Sequence, residues 1–273
     1  MRTPWRDYVS FNIWSQFAPA VGQEHWHCDM KRGFARARKK EPVVKAILEQ
    51  DTTPQHIGLL AQKAVYEFHE DRQLLQQSDA VDRVAQRLKL SQEPGEVQQR
   101  LIEILKNYYK NPILAGKKIV KLSRGDEGIP EPILIENGNY SFNLFAAIDC
   151  IFVDSDGKLH ILDFKTGKSD FDRRQAFVYL LAATYLYPQQ KAVASFYNLE
   201  SNKWSDPITA TDAQLKAIQM ELVRIAQQHQ KELRRYKENP SEFAQIFPAN
   251  PGFICCNCQF NSICKFSTFE VSA

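Results

Sequence analysis

The run AAIDCIFVDSDGKLHILDFKTGKSDFDRRQAFVYLLAATYLY, residues 146–187, decides the fold. It opens with an apolar segment holding a single acid, Asp149. A turn follows at Asp154-Ser155-Asp156-Gly157, where Asp-Gly accepts the positive φ of a tight reversal. An alternating segment, residues 160–165, returns from that turn. Side chains on a strand share a face every second residue, so Asp163 and Lys165 stand together while Phe164 turns away. A hairpin of this kind brings Asp149 alongside the same face. The chain leaves the second strand through Thr166-Gly167-Lys168. A helix is expected over residues 172–187, with Gln175 and Tyr179 at i and i+4 on one face. Phe177, Val178, Leu180, Leu181 and Ala183 supply the apolar surface that buries it against a sheet.

Two carboxylates and an ammonium on one strand face have a plain chemical use. Carboxylates are hard oxygen ligands suited to Mg²⁺ or Mn²⁺. Such a cation acidifies water and stabilises charge building on a phosphoryl oxygen. A lysine beside it can orient or deprotonate the attacking water and offset the developing charge.

Around this stretch the chain reads as one soluble domain. A length of 273 residues can bury a continuous core. The net charge of +3 is too mild to demand or exclude a nucleic-acid partner. Nothing approaches the length of a membrane span, and the first residues lack the apolar core of a signal peptide. A cytoplasmic protein with no membrane partner is therefore expected. Upstream, a short helix over residues 10–17 ends at Pro19, and a long amphipathic helix starts near Pro54 with Ile57, Leu60, Ala61, Ala64, Val65 and Phe68 on its apolar side. Two more helices follow, over residues 80–89 and 93–109, and Asn111-Pro112 stops the second. Residues 113–145 read as strands broken by glycines. After the Gln175 helix, residues 191–199 form a strand apolar on both faces. Thr211 and Gln214 make a capping box for a last long helix.

Six cysteines are unevenly placed: Cys28, Cys150, then Cys255, Cys256, Cys258 and Cys264. Crowding of this kind in an intracellular chain reads as a metal or cluster site before disulfides.

The ordered set Ile148-Asp149, Asp163-Phe164-Lys165 and Gln175-x-x-x-Tyr179 resembles the PD-(D/E)xK nuclease superfamily, and within it the RecB-like branch that includes CRISPR-adaptation nucleases. The resemblance implies an α/β protein with a restriction-endonuclease-like α+β core. A central mixed sheet would be flanked by helices, with a helical insertion and a staple joining the two ends of the chain. The whole of residues 1–273 would be one nuclease domain: an N-terminal region and helical subdomain (1–112), a core sheet (113–200) and a C-terminal helix with the cysteine segment (201–273).

It also implies the site residues. Asp149 and Asp163 would ligate Mg²⁺ or Mn²⁺ with Glu131 and the backbone carbonyl of Phe164; Lys165 would act on water; Gln175 and Tyr179 would brace the site. Gly58 matches a family glycine, but the metal-binding histidine four residues later is Gln62 here, which would take that ligand's place with a weaker amide oxygen, and the glycine of the family's Gly-x-Ile-Asp is Ala146. Cys28, Cys255, Cys258 and Cys264 would hold a [4Fe-4S] cluster, with Cys256 a bystander. A Cys₄ set equally suits Zn²⁺.

The implied activity is metal-dependent hydrolysis of single-stranded DNA or DNA ends, as an exonuclease in repair, recombination or CRISPR adaptation, with a helicase or CRISPR integrase as partner. In that setting the basic run KRGFARARKK, residues 31–40, becomes a phosphate-contacting strip through Arg32, Arg36, Arg38 and Lys39, joined by Lys168. The departures at Gln62 and Ala146 motivate a second reading: a catalytically weak or inactive module of the same fold that binds DNA or organises a complex.

Overall fold

In the computed structural model, residues 6–50, 52–71, 73–167 and 171–267 are described. In chain order they form β1 (Tyr8–Ser10), α1 (Phe11–Phe17), α2 (Asp29–Arg36), α3 (Pro42–Leu48), α4 (Thr53–Glu70), α5 (Ala80–Arg87) and α6 (Gly95–Lys110). Then come β2 (Lys118–Leu122), β3 (Ile133–Asn137), β4 (Tyr140–Phe145), β5 (Cys150–Val153) and β6 (Leu159–Lys165). The chain closes with α7 (Arg174–Leu186), β7 (Ala192–Asn198), β8 (Lys203–Trp204), α8 (Asp212–Glu238) and α9 (Phe243–Ile246). The caps follow the local sequence. Ser10 Oγ accepts from the Ile13 N–H at 3.3 Å, and Thr52 with Gln55 forms a capping box ahead of Pro54. Thr211 and Gln214 form the expected second box.

The fold is mixed α/β, but its strands make two sheets rather than one central sheet. The larger runs β2-β5-β6-β7-β8, antiparallel except for the parallel β6–β7 pair. The smaller runs β1-β4-β3, with β1 parallel to β4. β3 and β4 therefore do not join the sheet that carries the Asp149 strand. The Gly138-Asn139 turn is short enough to fold β3 straight back on β4, which hands that hairpin to β1 instead.

The chain forms two compact units with interleaved segments. One comprises residues 52–133 and 146–216 and carries the five-stranded sheet. Its core gathers Ile57, Leu60, Val65 and Phe68 of α4, Leu101 and Leu105 of α6, and Phe152, Leu162 and Phe164 of the hairpin. The hairpin residues of this core are the even-numbered ones of β6, so Asp163 and Lys165 face the other side of the sheet, as a period of two requires. Burial along β6 is nearly continuous because both of its faces are covered.

The other unit holds residues up to 51, 134–145 and from 217 onward. Here residues 31–36 of the basic run lie in α2, and its three assigned arginines are engaged within the fold instead of forming the open strip expected from sequence. Arg32 is only 3% exposed, pairs with Asp29 and Glu232, and lies 3.8 Å over the Phe17 ring. Arg36 donates to Gln16 Oε1 at 3.1 Å, and Arg38 sits 3.7 Å over Phe243 beside Glu41. Of the run's assigned residues only Lys39 is exposed; Lys168 lies outside the described residues. Gly33 is needed here, since a Cβ would come within 2.6 Å of Phe247 Cγ.

Each unit has a histidine withdrawn from solvent, His69 half-buried and His229 buried. His69 Nε2 sits 2.6 Å from Tyr108 Oη; His229 meets the edges of Tyr8 and Phe17. Burial pushes each imidazole from its ordinary 6.5 down to about 4. The folded state therefore holds neutral rings that the unfolded chain protonates first. Their contribution is complete above 6.5 and is lost as pH falls towards 4, by roughly 3 kcal/mol per histidine at most. Denaturant unfolding between pH 7 and pH 4 should show this decline, and His229→Gln should flatten it.

Candidate active site

Asp149 stands immediately before β5, and its position is set from both ends of the side chain and backbone. Its Oδ2 accepts the Phe164 N–H at 2.8 Å. Its carbonyl accepts the Ser123 N–H at 2.7 Å. β5 pairs with β6 from Cys150↔Leu162 outward, so Phe164 extends past the end of β5 and its free N–H finds the carboxylate.

Asp163 is 3% exposed and is held by one oxygen. Oδ1 accepts from Gln175 Nε2 at 3.0 Å and from Tyr179 Oη at 2.7 Å. Oδ2 lies 2.5 Å from Lys165 Nζ, but the alignment is outside hydrogen-bonding geometry and this buried oxygen accepts no hydrogen bond. Lys165 Nζ instead donates to Gln175 Oε1 at 3.0 Å. Gln175 thus joins lysine and carboxylate through its two ends, while its Nε2 also reaches Tyr179 Oη at 2.6 Å. Tyr179 Oη is further tied to the Ala147 carbonyl at 2.8 Å. The i, i+4 spacing on α7 makes this joint brace possible.

The electrostatics follow from burial. Desolvation, then the negative charge of Asp163, pushes the Asp149 carboxyl well above the ordinary carboxylate range; the Phe164 N–H, Lys165 and Lys121 oppose this. Tyr179 is driven upward by burial and by both aspartates, so its hydroxyl stays neutral. Cys150, whose thiol burial pushes up to about 12, is inert between them and the core.

Glu131 and Gln62 are not drawn in. Glu131 is exposed ahead of β3, and among the described residues no group of three or more His, Cys, Asp or Glu side chains is arranged to hold one metal ion. Gln62 turns its amide to the loop after β2, where Nε2 donates to the Ser123 carbonyl at 3.3 Å. That loop is tight: Gly125 has φ +92 and a Cβ there would sit 2.8 Å from Gln62 Oε1. Gln62 therefore holds the residue whose N–H holds Asp149. Ser123 and Lys121 were invisible in the sequence because the β2–β5 pairing that delivers them is long-range.

The other cluster is the thiol group. Cys28, Cys255, Cys258 and Cys264 line one cavity with Met30, Phe34 and other residues; Cys256 is exposed and outside it. Cys28 is held through Asn250, whose N–H lies 3.5 Å from Sγ and whose Nδ2 donates to the His27 carbonyl at 2.9 Å. Burial raises the Cys258 thiol, and Cys28 and Cys264 add to the rise.

A family model described as the PD-(D/E)XK nuclease superfamily matches residues 31–265. The chain belongs to the PD-(D/E)XK nuclease superfamily. No curated protein matches it. A solved structure titled "Crystal structure of SSO0001" is similar over 76% of this chain and 94% of that chain, at 15% identity and a TM-score of 0.31, a likeness too loose to carry any argument.

PD-(D/E)XK nucleases use Mg²⁺ or Mn²⁺, and the donor set here fits such a cation. Two neighbouring buried carboxylates, one with an oxygen that accepts no hydrogen bond and meets only the Lys165 ammonium, are hard oxygen donors of the kind such a cation takes. Gln62 stands outside that set. Gln62→Ala is expected to lower stability by about 1 kcal/mol and to leave calorimetric Mn²⁺ affinity unchanged, whereas Asp163→Ala abolishes binding. A Gln62→Ala protein with strongly weakened Mn²⁺ affinity would make the amide a ligand after all.

Proposed function

We propose that this chain is a Mg²⁺- or Mn²⁺-dependent deoxyribonuclease acting on single-stranded DNA or DNA ends. The observation that carries the reading is the grouping of Asp149, Asp163 and Lys165, with Asp163 Oδ2 accepting no hydrogen bond and meeting only the lysine's charge. Asp149 Oδ and Asp163 Oδ2 would hold the cation together with the Phe164 carbonyl, which lies on the same side of its strand as the N–H bound to Asp149. When bound, the cation supplies positive charge at the phosphoryl oxygens and acidifies water. Lys165, fixed by Gln175, orients the attacking water and offsets the charge that builds on the phosphate. Gln175 and Tyr179 keep the first oxygen of Asp163 occupied, so that the second is always presented.

Cleavage of end-labelled linear and circular single-stranded DNA, with Mn²⁺, Mg²⁺ or chelator, tests this. Metal-dependent cutting should fall by about a hundredfold or more in Asp163→Ala and Lys165→Ala. Intact DNA under every metal, or an Asp163→Ala protein as fast as the parent, sinks it. The second reading, a DNA-binding module without catalysis, draws on the diversion of Gln62 to Ser123 and the exposure of Glu131. It would be recognised by gel-shift binding without cleavage, unaffected by Asp163→Ala.

For the thiol group we infer a [4Fe-4S] cluster held by Cys28, Cys255, Cys258 and Cys264, supported by a cavity that all four line and by apolar neighbours such as Met30 and Phe34. Anaerobically purified protein should be brown and contain iron and sulfide, retained in Cys256→Ala and lost in Cys28→Ala. Colourless protein with stoichiometric zinc would assign the four thiolates to Zn²⁺ instead.

A further inference from the structure

We propose that Phe171, backed by Phe196, is a stacking step for an unpaired base beside the cleavage site, which makes a single strand or frayed end the substrate; this rests on the nuclease reading of that site. The strand register places Phe196 directly beside Asp163, on the same face of the sheet. Lys165 Nζ lies 5.5 Å from the Phe196 ring centroid. Phe171 stacks on the other ring at 5.2 Å between centroids and 28° between planes. Lysine, buried ring and outer ring are thus successive neighbours, starting from the strand position beside Asp163.

The two rings differ in exposure. Phe196 is 1% exposed and belongs to the core, whereas Phe171 keeps part of its surface open. The outer ring is also fixed in place. The Asp172 carboxylate beside it accepts the Arg174 N–H at 3.0 Å and the Arg174 side chain, which sets the entry into the helix that carries Gln175. A phosphate at Asp163 and Lys165 puts the attached nucleoside within reach of this ring. An aromatic face accepts any base, but only one whose own face is free; within a duplex each base is already stacked on its neighbours. The step therefore selects strands by their lack of pairing and not by sequence.

Two measurements test the step. In chelator, where no cleavage is expected, single strands carrying 2-aminopurine should be quenched by the wild-type protein. Affinity should be about tenfold weaker, or quenching absent, in Phe171→Ala, and both should return in Phe171→Trp. With Mn²⁺, Phe171→Ala should raise KM on single strands about tenfold with kcat unchanged. Phe171→Trp restores it. Quenching and KM in Phe171→Ala equal to wild type overturn the step, as does a loss that Phe171→Trp fails to rescue. Cleavage that persists with no Phe171 effect removes the step and leaves the nuclease. Phe171-dependent quenching in a protein that never cleaves removes the nuclease and leaves the step.

Discussion

Asp163 is fastened through hydrogen bonds to one oxygen, while the other meets only the charge of Lys165, and the site depends on that asymmetry. A buried carboxylate ordinarily has every lone pair answered. Here Gln175 and Tyr179 converge on Oδ1, while Oδ2 has only the nearby charge of Lys165. The neighbouring Asp149 is pushed towards its protonated form by burial and by this same charge. Two buried acids side by side are unfavourable alone, and positive charge, that of Lys165 or of a bound cation, makes the arrangement tolerable. Part of the cost of assembling it has already been met by the packing around it, which is what preorganisation means for a binding site.

The brace comes from the topology. β6 and β7 are parallel neighbours, and parallel strands need a crossover long enough to return to the same end of the sheet. The crossover is α7, so the element that builds the parallel pair is also the one that brings Gln175 and Tyr179 over the carboxylate. The amide orientation follows without ambiguity. Oε1 must meet the ammonium and Nε2 the carboxylate, because the reverse would set oxygen against oxygen. One residue type of the right length with both a donor and an acceptor satisfies this, and glutamate would not.

What was legible in the sequence was local. The hairpin, the shared face of Asp163 and Lys165, the spacing of Gln175 and Tyr179, and the Thr211–Gln214 capping box are set within a few residues, where strand and helix periods act directly. The departures came from long-range pairing. Residues 133–145 alternate like any strands, and nothing in them says that their partner is Tyr8–Ser10 rather than the Asp149 strand. Glu131 leaves the site for that reason. Gln62 lies at the expected place on its helix, but the loop it grips is reached only through the β2–β5 pair. The basic run shows a different limit: charge in a sequence does not reveal its counter-charge. Arg32 is balanced by Glu232, two hundred residues away, and so serves the fold.

The thiol group raises a related question of what closes the chain on itself. A cross-link between residues 28 and 255 in an otherwise open chain has a ceiling of about 5 kcal/mol from loop closure. These segments, however, already share a hydrophobic cluster: Met30 and Phe34 with Phe243, Ile246, Phe247 and Phe260. The Met30 N–H also donates to the Pro248 carbonyl at 3.1 Å. The entropy of bringing the ends together is charged once, however many contacts then form between them. A group bound by the four cysteines therefore adds rigidity to a junction that packing has already made, and its contribution to stability falls below the open-chain ceiling. The cysteines' own placement agrees: three of the four are half-buried at the margin of that cluster.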